Sequence, residues 1–304
     1  MAKQAVLLLA HGTPETVDQI PAYLSNVTGG RPLPPEVIEE IQRRYALIGH
    51  SPLTEITLAQ ARLVEVELAA GERVPVYAAM RNWHPYIADV VRQMRADGVE
   101  EAAVLCLAPQ NSRTSVGLYR RAVETSGLRI DFTESWAEHP LLIAAFAERL
   151  RAAQDKLIAE TGAPVPVLFT AHSVPVQTID AQPADPYADE ARHTAELVAA
   201  RVAEIPRWFF AFQSQGASGG PWLGPSVEQT LESIATSGAK TLLLQPIGFL
   251  CDHVEILYDV DIFFREFAAK LNLRLERPES LNASATLARA IADLARQGLA
   301  RLGS

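Results

Sequence analysis

Two histidines stand directly behind runs of strand-forming residues: His11 in LLLAHGTP (residues 7–14) and His172 in FTAHSVP (residues 169–175). In each, Ala-His is followed by Gly or Ser, one further residue and Pro. An imidazole at the end of a buried strand is partly desolvated yet can face a cleft, which suits a general base or a metal ligand near neutral pH. The same placement also suits plain turn-making. Ser173 can satisfy His172 locally, and Gly12 accounts for a tight bend beside His11 without any chemistry.

A second group lies in PIGFLCDHVEILYDVD (residues 246–261), where a strand exit runs straight into a helical pattern. Glu255 and Asp259 are four positions apart, which stacks two carboxylates on one helix face. Such a strip can pass cations or protons. A capping box explains part of it, with Asp252 as N-cap and Glu255 as the third helical residue near the positive helix end, but leaves Asp259 unexplained.

The stretch FQSQGASGGPWLGPSVE (residues 212–228) is glycine-rich but lacks the Gly-Lys-Ser/Thr ending of a phosphate loop and the GxGxxG spacing of a dinucleotide site. Trp222 there offers an aromatic plate to a flat apolar ligand, or a plug between domains. RYALIGHSPL (residues 44–53) and LAPQNSRTSVGLYRR (residues 107–121) supply Arg44, Tyr45, Ser51, Arg113, Ser115 and Tyr119, donors suited to ligand carboxylates. GHSPL starts like a serine-hydrolase nucleophile elbow, then lacks the final Gly, and no strand leads into it.

These groups have to be positioned by a repeated alternation of strands and helices. Strands are predicted at AVLLLAH, VPVYAAM, AAVLCLAP and LRIDFTES, and again at VPVLFTAH, WFFAFQS, KTLLLQPIGF and LRLERPES. Helical periodicity lies between them, as in TEITLAQARLVEVELAAG, closed by Gly71 at its C′ position, and near 186–205, 225–237 and 252–271. The third strands end near a proline in LAPQ and LQPI and the fourth in TES and PES, so the doubled Ala-His belongs to an internal repeat. The fold class is therefore α/β: two similar Rossmann-like domains, each a four-stranded parallel sheet flanked by helices. Residues 1–139 and 140–283 form the two, joined near Glu138-His139-Pro140, and the terminal helix 284–304 is expected to pack back on the first. Ligands of open parallel sheets bind beyond the carboxyl ends of the strands, where both Ala-His motifs fall, so a cleft between the domains is the expected site.

The whole chain narrows the function classes. Its 304 residues exceed one ordinary core, and a net charge of −9 with no basic stripe argues against nucleic acid. The two cysteines, Cys106 and Cys251, are too few for a thiolate zinc site or an iron–sulfur cluster and fit a reducing cytoplasm. No stretch is apolar enough to span a membrane, and His11, Gly12 and Pro14 interrupt the apolar run that would otherwise suggest a signal peptide.

Taken together in order from residue 7 to residue 261, LLLAHGTP, RYALIGHSPL, MRNWHPYI, LAPQNSRTSVG, FTAHSVP, FQSQGASGGPWLGP and PIGFLCDHVEILYDVD resemble ferrochelatase, in its soluble bacterial form that includes the coproporphyrin enzymes. The resemblance implies a chelatase-like fold and insertion of Fe²⁺ into protoporphyrin IX or coproporphyrin III for haem. It implies His172 and Glu255 as the catalytic pair flanking the metal, with Asp259 extending an acidic path. It implies a porphyrin site lined by His11, Arg44, Tyr45, Ser51 and Tyr119, with Ser214 and Trp222 near it. Four positions depart from relatives: His11 where many have Tyr, Phe263 where the acidic strip often continues, and Arg81 and Asn82 where one relative has Lys-His and an accessory metal site. Thr28 and Gly29 stand where some coproporphyrin enzymes have arginines. The resemblance further implies iron as substrate and, without cluster cysteines, no prosthetic group or iron–sulfur cluster; a monomer in the cytoplasm is the expectation beside it. Alternatives are a sirohydrochlorin-type chelatase, which would lack the PWLGP and DHxExLYD wording, and a non-catalytic tetrapyrrole carrier, against which the His172 and Glu255 pair counts. A two-lobed periplasmic binding protein is disfavoured by the missing signal peptide.

Overall fold

The computed structural model describes residues 2–69, 74–215 and 220–304. Gly71, expected to close a helix, and residues 216–219 of the glycine-rich loop lie outside the described residues. The first half runs β1 (Gln4–Ala10), α1 (Ile20–Thr28), α2 (Pro35–Ile48), α3 (Leu53–Leu68), β2 (Val76–Met80), α4 (Ile87–Ala96), β3 (Glu101–Cys106), α5 (Val116–Glu124) and β4 (Arg129–Thr133). The second runs α6 (Pro140–Thr161), β5 (Val167–His172), α7 (Val176–Ile179), α8 (Tyr187–Arg201), β6 (Trp208–Gln213), α9 (Val227–Thr236) and β7 (Thr241–Pro246). A π-helix (Glu255–Phe264) then leads into α10 (Arg265–Lys270), β8 (Arg274–Glu276) and α11 (Ala285–Gly303).

Among the described residues these strands form two four-stranded parallel sheets, ordered β2-β1-β3-β4 and β6-β5-β7-β8. The two orders are the same, with the first strand of each half inside and neighbours added on either side. That first strand marks the place where chain direction across the sheet reverses, and the crevice beyond its carboxyl end is where open sheets bind ligands. His11 follows β1 and His172 ends β5, so the repeat seen in the sequence places two imidazoles at two equivalent crevices.

Both faces of each sheet are covered, as near-continuous apolar strands require. In β1, Val6 and Leu8 join a core shared with α3, α6, α11 and β5, while Ala5, Leu7 and Leu9 pack under α4 and α5. The outer face of the second sheet carries Leu168, Leu242 and Leu244 against α9, the π-helix and α10. Helix α11 contacts β3, β4, α3 and α6. It comes so close to β3 that a Cβ on Gly298 would lie 2.9 Å from Ala103 Cβ and 3.0 Å from Asp131 Oδ1. Pro140 opens α6 and the His139 ring accepts a hydrogen bond from the Leu141 amide, capping it.

Candidate active site

The histidine that ends β5 is held by its neighbours. Its Nδ1–H donates to the carbonyl of Ser173, and the hydroxyl of Tyr187, at the start of α8, donates to its own carbonyl at 2.9 Å. Ser173 in turn donates to the Leu223 carbonyl at 2.9 Å, which ties the strand exit to the segment carrying Trp222. With the proton on Nδ1, the lone pair of Nε2 is free for chemistry. It faces Oε2 of Glu255 at 3.7 Å, and both side chains are 33% exposed, within reach of a ligand.

Glu255 is not part of a capping box. Asp252 is instead taken by Arg277 at 3.0 Å, Ser280 at 2.7 Å and Asn282 at 2.9 Å, so it cannot cap a helix, and Glu255 Oε2 is buried without a hydrogen-bond partner. An unsatisfied buried carboxylate oxygen opposite an imidazole lone pair is unfavourable unless a cation or proton comes between them. The two groups can touch one divalent transition ion at bonds of about 2 Å. No cluster of three or more metal-ligating side chains occurs among the described residues.

The pair opens on a cavity of about 390 Å³ between the two sheets' carboxyl ends. Its walls include His11, Tyr45, Ser51, Ser115, Tyr119 and Trp222 of the residues expected from the sequence, along with His172 and Glu255. Gly12 has φ +86°, and a Cβ there would lie 2.9 Å from both Met80 Cβ and the Trp83 amide nitrogen, so only glycine lets the chain turn past β2 and present His11. Burial, with Arg81 second, takes the His11 imidazole down to about 3, so it stays neutral in the cavity, beside the Asn82 amide at 3.0 Å. Tyr45 is pushed up to about 12, mainly by burial, and shares a 2.9 Å hydrogen bond with Thr13.

Arg44, Ser214 and Asp259 stand off this wall, in a cluster of their own. Arg44 pairs with Glu40 at 2.9 Å and reaches Asp259 at 3.5 Å, while the Ser214 hydroxyl donates to the other Asp259 oxygen at 2.5 Å. Ser214 adopts φ +59°, unusual for a side-chain-bearing residue, and this turn directly after β6 aims its hydroxyl at the π-helix. Arg113 is likewise not in the wall. It lies 3.5 Å from Asp185 and donates to the Pro183 carbonyl, joining the two halves.

The cavity also gathers groups that sequence reasoning passed over, Tyr23, Gln60, Tyr187 and His253, and Arg81, which it marked only as a departure from relatives. His253 was within sight, two residues before Glu255 in the same motif, and burial lowers its basicity. The tyrosines had no signal beyond ordinary buried aromatics.

Comparison with known proteins places this geometry in a class. The chain superposes on the sirohydrochlorin chelatase SirB from Bacillus subtilis subspecies spizizenii with cobalt, with a TM-score of 0.56 over 97% of this chain and 94% of that one, at 12% identity. SirB from Bacillus subtilis with Fe³⁺ gives a TM-score of 0.58 over 99% and 98%, again at 12% identity. The fold is that of the chelatases. Residues 3–299 match the family model Ferrochelatase. The ferrochelatase of Acidobacterium capsulatum is 56% identical over 99% of this chain and 96% of its own. The coproporphyrin III ferrochelatase of Mycolicibacterium vanbaalenii is 34% identical over 97% and 89%. The chain belongs to the ferrochelatase family, the lyases that insert iron into a porphyrin in haem biosynthesis. No helix among the described residues is long and apolar enough to cross a membrane.

Proposed function

We propose that the cavity is where Fe²⁺ enters the porphyrin, with His172 and Glu255 flanking the ring centre on one face and His11 facing it from the opposite wall. The observation that carries this is the 3.7 Å gap between the His172 Nε2 lone pair and the unpartnered Glu255 oxygen. Metallation needs two pyrrole N–H protons removed and a partly dehydrated ion delivered. The imidazole lone pair accepts a proton at Nε2, while imidazole and carboxylate together suit a borderline divalent ion without trapping it. Tyr45, Ser51, Tyr119 and Trp222 hold the macrocycle. Asp259, with Ser214 and Arg44, continues the acidic path away from Glu255 rather than touching the ring.

Iron is a substrate in this reading and no prosthetic group or iron–sulfur cluster takes part. Cys106 and Cys251 are buried singly, with thiols pushed up by that burial. The enzyme works as a cytoplasmic monomer without nucleic acid, consistent with its net charge of −9. Anaerobic Fe²⁺ insertion into protoporphyrin IX and coproporphyrin III, followed side by side by absorbance, tests the reading. His172→Ala should lower turnover by about 100- to 10,000-fold, and Glu255→Gln should also lower it. Tight porphyrin binding with no metallation by the wild type would replace the enzyme with a carrier, and turnover of sirohydrochlorin alone would name a different chelatase.

A further inference from the structure

Arg81 is the one guanidinium among the described residues that line the cavity, and no protein group among them pairs with it. Its Nε is buried and lacks a hydrogen-bond partner. Its contact is the face of Tyr119, with the guanidinium carbon 5.3 Å from the ring centroid. The other arginines expected at the site are committed elsewhere, Arg44 to Glu40 and Asp259 and Arg113 to Asp185. The charge of Arg81 reaches across the wall. After burial it is the largest influence keeping His11 neutral, and it opposes the upward push that burial gives Tyr119. A buried guanidinium N–H without an acceptor is unfavourable, and a planar donor fork is built to take a carboxylate.

Resting on the ferrochelatase reading, we propose that Arg81 anchors one propionate carboxylate of the porphyrin, at the wall it forms with Tyr119 and His11. The contact fixes how the macrocycle is turned within its plane and gives the buried Nε–H an acceptor when the substrate arrives. Arg81 is a binding and specificity residue on this view, and it does not take part in proton transfer.

The test compares binding of protoporphyrin IX and its dimethyl ester, and of coproporphyrin III and its tetramethyl ester, by quenching of porphyrin fluorescence. Wild type, Arg81→Gln and Arg81→Lys are measured, with anaerobic Fe²⁺ insertion alongside. Arg81→Gln should weaken binding of the free acid by about 10- to 100-fold and leave the ester unchanged, raising KM far more than it lowers kcat. Arg81→Lys should recover part of the loss. Equal weakening of acid and ester, or an unchanged acid, overturns the anchor while leaving the family reading intact. Should Arg81→Gln bind nothing, Arg81→Lys decides: a retained preference for the acid supports the anchor and an absent one overturns it. Wild-type protein that metallates no porphyrin overturns the ferrochelatase reading and the anchor with it.

Discussion

Asp259 sits between opposing influences. Burial first, then the nearby Glu255 charge, push its carboxyl from 3.8 up to about 6, while the Ser214 hydroxyl and Arg44 favour the ionised form. A carboxyl raised in the folded state stabilises the fold fully below its unfolded value, and that contribution is lost as pH rises through about 6. Ser214→Ala removes a donor that favours the carboxylate, so the Asp259 midpoint read by carboxyl-carbon NMR should move further up. A midpoint that stays or falls would show that Ser214 does not hold this group. His11 shows the opposite sign: its depressed value means that the associated stability is present above about 6.5 and lost as pH falls toward 3.

At the scale of elements, the segment after β7 shows how local geometry serves the site. It is a π-helix, closed by i→i+5 bonds, a form that is frequent at functional sites. Glu255 lies near enough to Asp259 to push its carboxyl up, and Phe263, four positions on and 42% exposed, ends the acidic row in an apolar side chain. The strip was legible from the four-residue spacing, but the π form was not, because no residue type distinguishes it from an α-helix. Helix α11 offers a cleaner test. Ala in place of Gly298 improves helix propensity by about 1 kcal/mol, yet its methyl would press on Ala103 at 2.9 Å, against a strand that cannot yield. The clash should win, with Gly298→Ala destabilising the fold by about 1–3 kcal/mol in urea unfolding; a more stable variant would mean that α11 is free to shift.

For the molecule as a whole, the cavity exists because the two halves are held face to face by specific polar ties. Gln110, fully buried beyond β3, donates to Thr194 on α8 and to the Ile247 carbonyl, each at 3.2 Å. Asp185 accepts from the Arg113 amide at 2.8 Å and Glu190 from the Asn111 amide at 2.7 Å, while Arg43 donates to Tyr258 at 2.7 Å from α2. Gln110→Ala would leave a buried carbonyl and hydroxyl short of a donor, so a loss of about 1–3 kcal/mol should appear in urea unfolding, together with weaker porphyrin binding. Stability lost without any change in binding would mean that this tie does not shape the cavity.

What the residues determined alone was everything with a short period or a local cause. Apolar runs alternating with helical patterns specify two parallel sheets, because strands buried on both faces and amphipathic helices can satisfy one another only that way. The strand exits placed His11 and His172, and the four-residue spacing placed Glu255 beside Asp259. Only the tertiary structure decided how these groups are partnered. Asp252 turned away from capping because Arg277, Ser280 and Asn282, distant in sequence, claim it. Arg44 turned from the cavity to Asp259, across 215 positions, and Arg81 was left as the unpaired cation in the wall. Hydrogen bonds and ion pairs act over a few ångströms with no regard for distance along the chain, so which donor meets which acceptor is settled only when the chain has folded.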